Sequence, residues 1–159
     1  MSDTMYTGGC QCGAVRFRVE GDLKDASVCH CRMCQKAFGG FYAPLASVRG
    51  LNFRWTRGEP KRFQSSNFVQ RGFCAECGTP LTYEAPDGMA VAIGAFDEPQ
   101  RIAPTLQYGT EAKLPYADHI PELPGHPTED DLEAAPFLVD IISYQHPDHD
   151  TEHWPEAHA

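Results

Sequence analysis

The sequence predicts a mostly β protein in a single domain, with an all-β sandwich or barrel-like core. Two observations lead to this fold class. Short apolar or alternating runs recur about every ten residues between positions 6 and 96, and clusters of turn-forming residues separate them. The chain has 159 residues, 42% of them hydrophobic and 22% charged, which is typical of one globular domain with a substantial core.

The first elements are a hairpin, a short strand and a helix. Residues 6–20 predict two strands joined at a turn that carries two cysteines, and residues 15–20 alternate strictly between apolar and charged side chains. Residues 26–29 predict a short strand that leads into a second cysteine group. Residues 32–38 contain no helix breaker and predict about two helical turns, ended by the glycines at 39 and 40.

Consecutive strands are predicted in the middle of the chain. We expect them at residues 41–48, 51–56, 62–66, 68–73, 79–84 and 89–96. The last two form a hairpin, because the four residues between them, 85–88, are rich in turn formers.

The composition of the sequence changes after residue 96. Residues 97–127 contain six prolines and predict mostly irregular chain wrapped on the core. Thr128 is expected to be the N-cap of a short helix that Pro136 ends. Residues 137–144 predict an apolar strand, and residues 145–159 form a polar, histidine-rich tail.

The charge is distributed unevenly along the chain. The net charge is −9, but residues 1–71 carry a balance of +6 and residues 72–159 a balance of −15. Overall acidity argues against a nucleic-acid partner. The basic half favours a small anionic ligand, and the alternative is that two halves of opposite sign pack together.

Membrane and secretory classes are also disfavoured by the sequence. The apolar stretch at residues 89–96 is too short to span a bilayer, and the N-terminal residues lack a basic region followed by an apolar one. We therefore expect a cytoplasmic location and no membrane partner. Thiols stay reduced in that compartment, so closely spaced cysteines indicate metal ligands or redox groups.

Four of the seven cysteines form two close pairs, which predict one structural zinc site. Cys10 and Cys12 are one residue apart, whereas Cys74 and Cys77 are separated by two residues. Neighbouring glycines give each pair the tight turn that would aim two thiols at one ion. The competing interpretation is a redox dithiol at Cys74 and Cys77, which would leave the first pair without a role.

The other three cysteines, Cys29, Cys31 and Cys34, predict a compact chelate with an open fourth position. Structural zinc takes four protein ligands, while catalytic zinc takes three and keeps one position for water or substrate. A strand end followed by a first helical turn should also lower a thiol pKa. A fourth protein ligand, such as a tail histidine, would instead close the site. His30 lies between two of these cysteines and is interpreted as a supporting or surface residue.

Three segments of the chain resemble one known family. They are residues 8–17 (GGCQCGAVRF), residues 29–36 (CHCRMCQK) and residues 73–81 (FCAECGTPL). In order and at every cysteine, they are similar to the signature segments of the glutathione-dependent formaldehyde-activating enzyme family, which includes the centromere protein V domain. The resemblance covers about residues 6–115, as the match of all three spaced segments indicates.

This resemblance implies a fold, two zinc ions and an activity. The fold would be a single domain of small antiparallel sheets in a tent-like arrangement that zinc cross-links. The structural zinc would be held by Cys10, Cys12, Cys74 and Cys77, and the catalytic zinc by Cys29, Cys31 and Cys34. The activity would be that of a carbon–sulfur lyase: reversible addition of glutathione to formaldehyde, giving S-hydroxymethylglutathione, or formation of a related adduct.

The resemblance also suggests a division of the chain. Residues 1–127 would be the zinc-binding domain, and residues 128–159 a C-terminal extension that packs on it. Histidine is a common metal ligand, so the tail could add a metal site or cover the zinc. We favour a solvated tail, as is usual for polar termini.

The expected mechanism uses the catalytic zinc to hold the substrate thiol as a thiolate, with Lys36 or Arg32 near the carboxylates of the substrate. Two other function classes remain open. Both metals could be structural in a non-catalytic interaction module, or the three-cysteine group could be a reactive thiol centre. The oligomeric state is not predicted.

Overall fold

Two sheets form the framework of the molecule. The structure, a computed structural model, describes residues 4–155. The predictions for residues 1–3 and for the end of the tail, residues 156–159, lie outside the described part. A three-stranded antiparallel sheet has the order β1-β2-β5, and a seven-stranded sheet has the order β10-β3-β4-β9-β8-β7-β6. The mostly β fold class is confirmed.

The ten strands are short and lie close to the predicted positions. They are β1 (Met5–Gly9), β2 (Arg16–Glu20), β3 (Ala26–Cys29), β4 (Ala43–Ser47), β5 (Asn52–Arg57), β6 (Lys61–Gln64), β7 (Gln70–Phe73), β8 (Pro80–Ala85), β9 (Gly88–Ala92) and β10 (Leu106–Tyr108). The one α-helix of the described residues, α1, spans Arg32–Phe38. It ends where predicted, because Gly39 takes the left-handed conformation and closes the last turn. All strand pairs are antiparallel except that of β10 and β3.

The core lies where residues of both sheets meet. Phe17 of β2 is fully buried and packs against aromatic rings from β5 and from the chain after β9. Its ring centroid is 5.0 Å from that of Phe96. Gly8 pairs with Phe96 in an isolated bridge, and a Cβ at Gly8 would lie 2.3 Å from the carbonyl oxygen of Ala95. The glycine therefore permits the contact that joins the two sheets.

Two predicted elements in the second half of the chain are wrong in their bounds or cap. The strand expected at residues 89–96 ends at Ala92, because the chain turns through a 3₁₀ helix at Ile93–Ala95 to bring Phe96 into the core. Thr128 does not cap a helix: it begins a 3₁₀ helix, Thr128–Asp131, that follows Pro127 and has no side-chain cap. Residues 97–127, predicted to be mostly irregular, also supply the short strand β10, which was not predicted.

The strand expected at residues 137–144 is also absent. A 3₁₀ helix occupies Pro136–Asp140, and the residues that follow pair with no strand of the described chain. An isolated run of β-branched residues has no ladder to complete, so its propensity alone does not make a strand.

The histidine-rich tail is docked between residues 145 and 154, so the preference for a solvated tail is wrong there. His146 is 6% exposed, and its backbone N–H donates to the carbonyl of Gln11 at 2.7 Å. The indole N–H of Trp154 donates to the carbonyl of Cys12 at 2.6 Å. The tail therefore lies over the first cysteine turn. The domain boundary at residue 127 stays a prediction.

A buried ion pair anchors this arrangement. The guanidinium of Arg16, 3% exposed, donates to the carboxylate of Asp97 at 2.6 and 2.8 Å and to Asp150 of the tail at 2.8 Å. Burial opposes ionisation of Asp97, but hydrogen bonds from Arg16 and Thr7 outweigh it and hold the pKa of that carboxyl below its usual value.

Removing the charge of Asp97 should destabilise the fold more than the same change in the tail. Asp97→Asn leaves a buried guanidinium without its main partner, a loss of about 3–5 kcal/mol in the free energy of unfolding. Asp150→Asn should cost about 0–1 kcal/mol, because that carboxylate is half exposed. Urea unfolding at fixed zinc concentration measures both, and equal losses would contradict the assignment of Asp97 as the main counter-ion.

Candidate metal centres and the adjoining cavity

The sulfurs of Cys10, Cys12, Cys74 and Cys77 converge, and we call this group the four-cysteine cluster. All four Sγ atoms lie within 4.8 Å of one another. The Sγ of Cys12 is 3.6 Å from that of Cys10 and 3.8 Å from that of Cys74. Sulfurs placed tetrahedrally about zinc at its usual bond length are separated by about 3.8 Å, so the donor set fits this ion.

Two similar turns aim these sulfurs. The N–H of Cys10 donates to the carbonyl of Val15, and the N–H of Cys74 donates to that of Thr79, both five residues on. In each turn a glycine with φ near 80°, Gly13 or Gly78, donates back to the first cysteine carbonyl. A side chain is strained at this φ, which explains the glycine at both places.

The thiols of the four-cysteine cluster differ in acidity. Burial raises the pKa of Cys12 far above its ordinary value. Burial also acts to raise that of Cys77, but hydrogen bonds from Thr79 and Cys12 outweigh it and lower the pKa to about 6. All seven cysteines are free thiols.

Cys29, Cys31 and Cys34 form a separate group, the three-cysteine cluster, whose Sγ atoms also lie within 4.8 Å of one another. Cys29 ends β3 and Cys34 lies in the first turn of α1. Cys31 is the N-cap of α1, and its Sγ accepts the backbone N–H of Cys34 at 3.4 Å. The junction of one strand and one helix thus gathers three sulfurs from six residues of sequence.

The expected lowering of thiol pKa holds for one of these three cysteines. Burial would raise the pKa of Cys31, but the Cys34 N–H, the neighbouring thiols and the charge of Arg71 lower it overall. Burial dominates at the other two, raising the pKa of Cys29 and bringing that of Cys34 to about 12. Helix position alone therefore does not decide the protonation of the cluster.

Arg71, in β7, is a functional residue that the sequence reasoning missed. It is 4% exposed, and its Nη2 donates to the Sγ of Cys34 at 3.3 Å. Its Nε donates to Ser65 at 2.9 Å, and its guanidinium lies 5.1 Å from the ring centroid of Tyr83. Its Nη1 is buried without a partner in residues 4–155. The one sequence signal that could have identified Arg71 is its position three residues before Cys74.

The predicted cations, Arg32 and Lys36, do not line the cavity beside the three-cysteine cluster. Both are exposed on α1, and Arg32 donates to Gln35 at 3.0 Å. Arg71 is the one Arg or Lys among the described residues of the cavity wall. Helix periodicity explains the difference, because only part of the surface of α1 faces the sheet.

The cavity has a volume of about 450 Å³, and all three cysteines of the cluster line it. Its apolar wall includes Leu45, Val69, Tyr83 and Tyr108. Its polar groups come from several strands and loops: Asp25, Ser27, Ser47, Ser65, Ser66, Asp87 and Arg71. The volume is within the range of small-molecule sites.

His30 and the tail histidines supply no further ligand in the described part of the chain. His30 is buried rather than at the surface, and its Nε2 is hydrogen bonded to Gln107 at 2.8 Å. His146 lies at the four-cysteine cluster, where a Cβ at Gly13 would be 2.1 Å from its ring. No fourth His, Cys, Asp or Glu from residues 4–155 completes the three-cysteine cluster.

The chemistry of both donor sets therefore suits a thiophilic divalent metal ion such as zinc. Four mutually close sulfurs can form a closed site, and three sulfurs on a cavity wall can form an open one. Three thiolates with one divalent ion keep an excess negative charge. Arg71 places a buried positive charge beside the second set, which offsets that excess.

The chain belongs to the glutathione-dependent formaldehyde-activating enzyme family, whose model matches residues 5–111. The match contains all seven cysteines and Arg71. Residues 112–159 lie beyond it. The resemblance of the three cysteine segments is therefore confirmed.

Two related proteins extend this comparison. An uncharacterized lyase of Schizosaccharomyces pombe is 26% identical over 83 residues, which cover 52% of this chain and 60% of the yeast protein. A crystal structure of a Rhodobacter sphaeroides protein aligns with a TM-score of 0.50 and 24% identity, covering 64% of this chain and 98% of the other. The second likeness shows the fold alone. None of the helices in residues 4–155 is long and apolar enough to cross a membrane.

Arg71→Gln should weaken metal retention by the three-cysteine cluster. A charged hydrogen bond to a buried thiolate contributes about 1.5–3 kcal/mol, so zinc affinity at this site should fall about 10- to 100-fold. Competition with a chromophoric chelator measures it. Arg71→Lys keeps the charge and should retain more of the affinity, and unchanged affinity in Arg71→Gln would contradict the role.

Proposed function

We propose that this protein is a zinc-dependent carbon–sulfur lyase that acts on the adduct of a thiol and an aldehyde, with glutathione and formaldehyde as the substrate pair that the family suggests. In the synthetic direction, the sulfur bonds to the carbonyl carbon and the C=O π bond opens. The thiol proton ends on the aldehyde oxygen, which becomes the hydroxyl of S-hydroxymethylglutathione. The lyase direction reverses these steps, so neither direction needs an oxidant or a reductant.

The observation that carries this proposal is that all three cysteines of one cluster, whose sulfurs lie close together, line a cavity of substrate size. A purely structural metal would gain nothing from such access. The name of the yeast relative, a lyase, agrees with the proposed reaction class. None of the cysteines of the four-cysteine cluster lines this cavity, which supports a structural role for that cluster.

Cys29, Cys31 and Cys34 would hold the catalytic zinc, and Cys10, Cys12, Cys74 and Cys77 the structural one. A zinc ion bound by three thiolates would keep one position open and would lower the pKa of a thiol there. Arg71 would offset the excess negative charge of the thiolates through its contact with Cys34.

The other cavity residues would orient the substrate. Burial raises the pKa of Tyr83, so its phenol stays protonated at neutral pH and can donate a hydrogen bond to the aldehyde oxygen. Asp25 and Asp87 could accept the ammonium group of glutathione, and serine hydroxyls could donate to its carboxylates. These roles replace the earlier expectation for Arg32 and Lys36.

Cys31→Ser should abolish the reaction without unfolding the protein. Loss of one ligand from a three-point chelate should remove its metal, and adduct formation from glutathione and formaldehyde should fall by at least about 100-fold. The assay follows the adduct by NMR, with circular dichroism to confirm folding. Wild-type turnover by the folded Cys31→Ser protein would contradict the mechanism.

Cys10→Ser is the matched control for this experiment. Metal bound by the four-cysteine cluster contributes to folding, so this variant should lose thermal stability and solubility as well as activity. A folded, stable Cys10→Ser protein would contradict the structural assignment.

Freshly purified protein should contain two zinc ions per chain. One should leave with a mild chelator while the circular dichroism spectrum stays unchanged, because one site is open to the cavity. Elemental analysis before and after chelation gives both counts. Two equally resistant ions would favour a non-catalytic interaction module, and one ion with three titratable thiols would favour a redox centre.

A further inference from the structure

Residues 137–144 present an unusually apolar surface, which we call the apolar segment. Phe137, Val139, Ile141 and Ile142 are 66%, 69%, 59% and 66% exposed. Four large apolar side chains this close together at the surface are typical of an interface rather than of scattered surface residues. The 3₁₀ helix Pro136–Asp140 occupies its first part, and the β-branched residues Ile141 and Ile142 that follow belong to no strand of residues 4–155.

The sequence on both sides of the apolar segment is acidic. Residues 114–159 contain no lysine or arginine. Glu133 precedes the segment and Asp140 lies within it. Three consecutive acidic residues, 129–131, lie further upstream. Its binding partner should therefore combine apolar surface with positive charge.

The same chain carries such a surface between α1 and β6, which we call the basic groove. It has a volume of about 340 Å³ and is lined by Arg32, Met33, Lys36, Ala37, Phe63 and Ser65. Met33 is 54% exposed and Phe63 45% exposed. Lys36 forms no ion pair with a described residue; the lysines that form one are Lys24 and Lys113.

The backbone beside the groove is also available for pairing. Strand β6 ends the seven-stranded sheet, so one of its edges has no neighbouring strand in the described chain. All four residues of β6 are exposed. The part of the apolar segment after its 3₁₀ helix, from Ile141 on, could gain main-chain hydrogen bonds along such an edge, and the side chains of the helix could add apolar contacts.

We propose that the protein forms a two-fold symmetric homodimer in which the apolar segment of each copy occupies the basic groove of the other. The two surfaces are complementary in charge and both are apolar at their centres. A two-fold interface uses each contact twice, so one acidic segment and one basic groove per chain satisfy both copies. The dimer itself does not depend on the proposed function; only its expected effect on KM rests on that function.

In the dimer, the apolar segment of each copy would also lie beside the substrate cavity of its partner. Met33 and Ser65 line both the basic groove and the cavity beside the three-cysteine cluster. A segment seated on them would extend the wall of that cavity. Loss of the dimer should then raise KM for the thiol more than it lowers kcat.

The first test is the oligomeric state of the full chain with zinc bound. Sedimentation equilibrium should show a dimer for the wild type and a shift to monomer for the double variant Ile141→Asp/Ile142→Asp, with dimer affinity reduced by about tenfold or more because charge would be buried. Leu106→Asp is the matched control: Leu106 is 49% exposed on β10, at the opposite end of the sheet, and this variant should remain a dimer.

The second test identifies the two faces. Lys36→Glu should weaken the dimer, and adding Asp140→Lys in the same chain should restore it, since each contact would regain opposite charges. A photo-crosslinker at position 142 should react with the β6 region of a second, differently tagged copy. A monomeric wild type, equal weakening by Leu106→Asp, or cross-linking only within one chain or to another protein would overturn the proposal.

Discussion

The convergence of Cys10, Cys12, Cys74 and Cys77 is the constraint on which the other features depend. It joins two turns that are 62 residues apart in sequence, as measured between Cys12 and Cys74, and each turn continues into a strand of a different sheet. The first turn leads into β2, which carries the fully buried Phe17. The second lies between β7, which carries Arg71, and β8, which carries Tyr83. A metal ion in this cluster would fix the sheets relative to each other and would position two residues of the cavity.

The two clusters use similar ligands in different surroundings. The four-cysteine cluster is formed by two turns, and the tail docks on the first of them through His146 and Trp154. The three-cysteine cluster faces a cavity and has one buried cation, Arg71, in contact. A closed donor set and an open one suit a structural and a reactive role, respectively. The tail thus supports the first site and leaves the second accessible.

Local sequence signals predicted most of the fold. The first strands, α1 and the hairpin of β8 and β9 were predicted because glycines, alternation and turn residues determine them within a few positions. Residues 137–144 were predicted as a strand for their composition, yet a strand also needs a partner edge, which local sequence does not reveal. The 3₁₀ turn at Ile93–Ala95 depends on the contact of Phe96 with Phe17, a tertiary interaction.

The cysteines of the candidate site were visible in the sequence, whereas its cation was not. Spacing grouped Cys29, Cys31 and Cys34, but Arg71 reaches Cys34 only through the pairing of β7 and β8 in the large sheet. Proximity in sequence favoured Arg32 and Lys36, which α1 directs elsewhere. The docking of the tail on the first turn depends on tertiary contacts, such as those of Trp154 with Cys12 and of Arg16 with Asp150, that composition does not encode.

The most direct test of the central claim, that one cluster is closed and the other open to substrate, is cadmium-113 NMR of the cadmium-substituted protein. We expect two resonances, one from a site with four sulfurs and one from a site with three. Added glutathione should shift only the second, as a fourth sulfur joins it. Two unchanged resonances, or a shift of the four-sulfur resonance, would contradict the account.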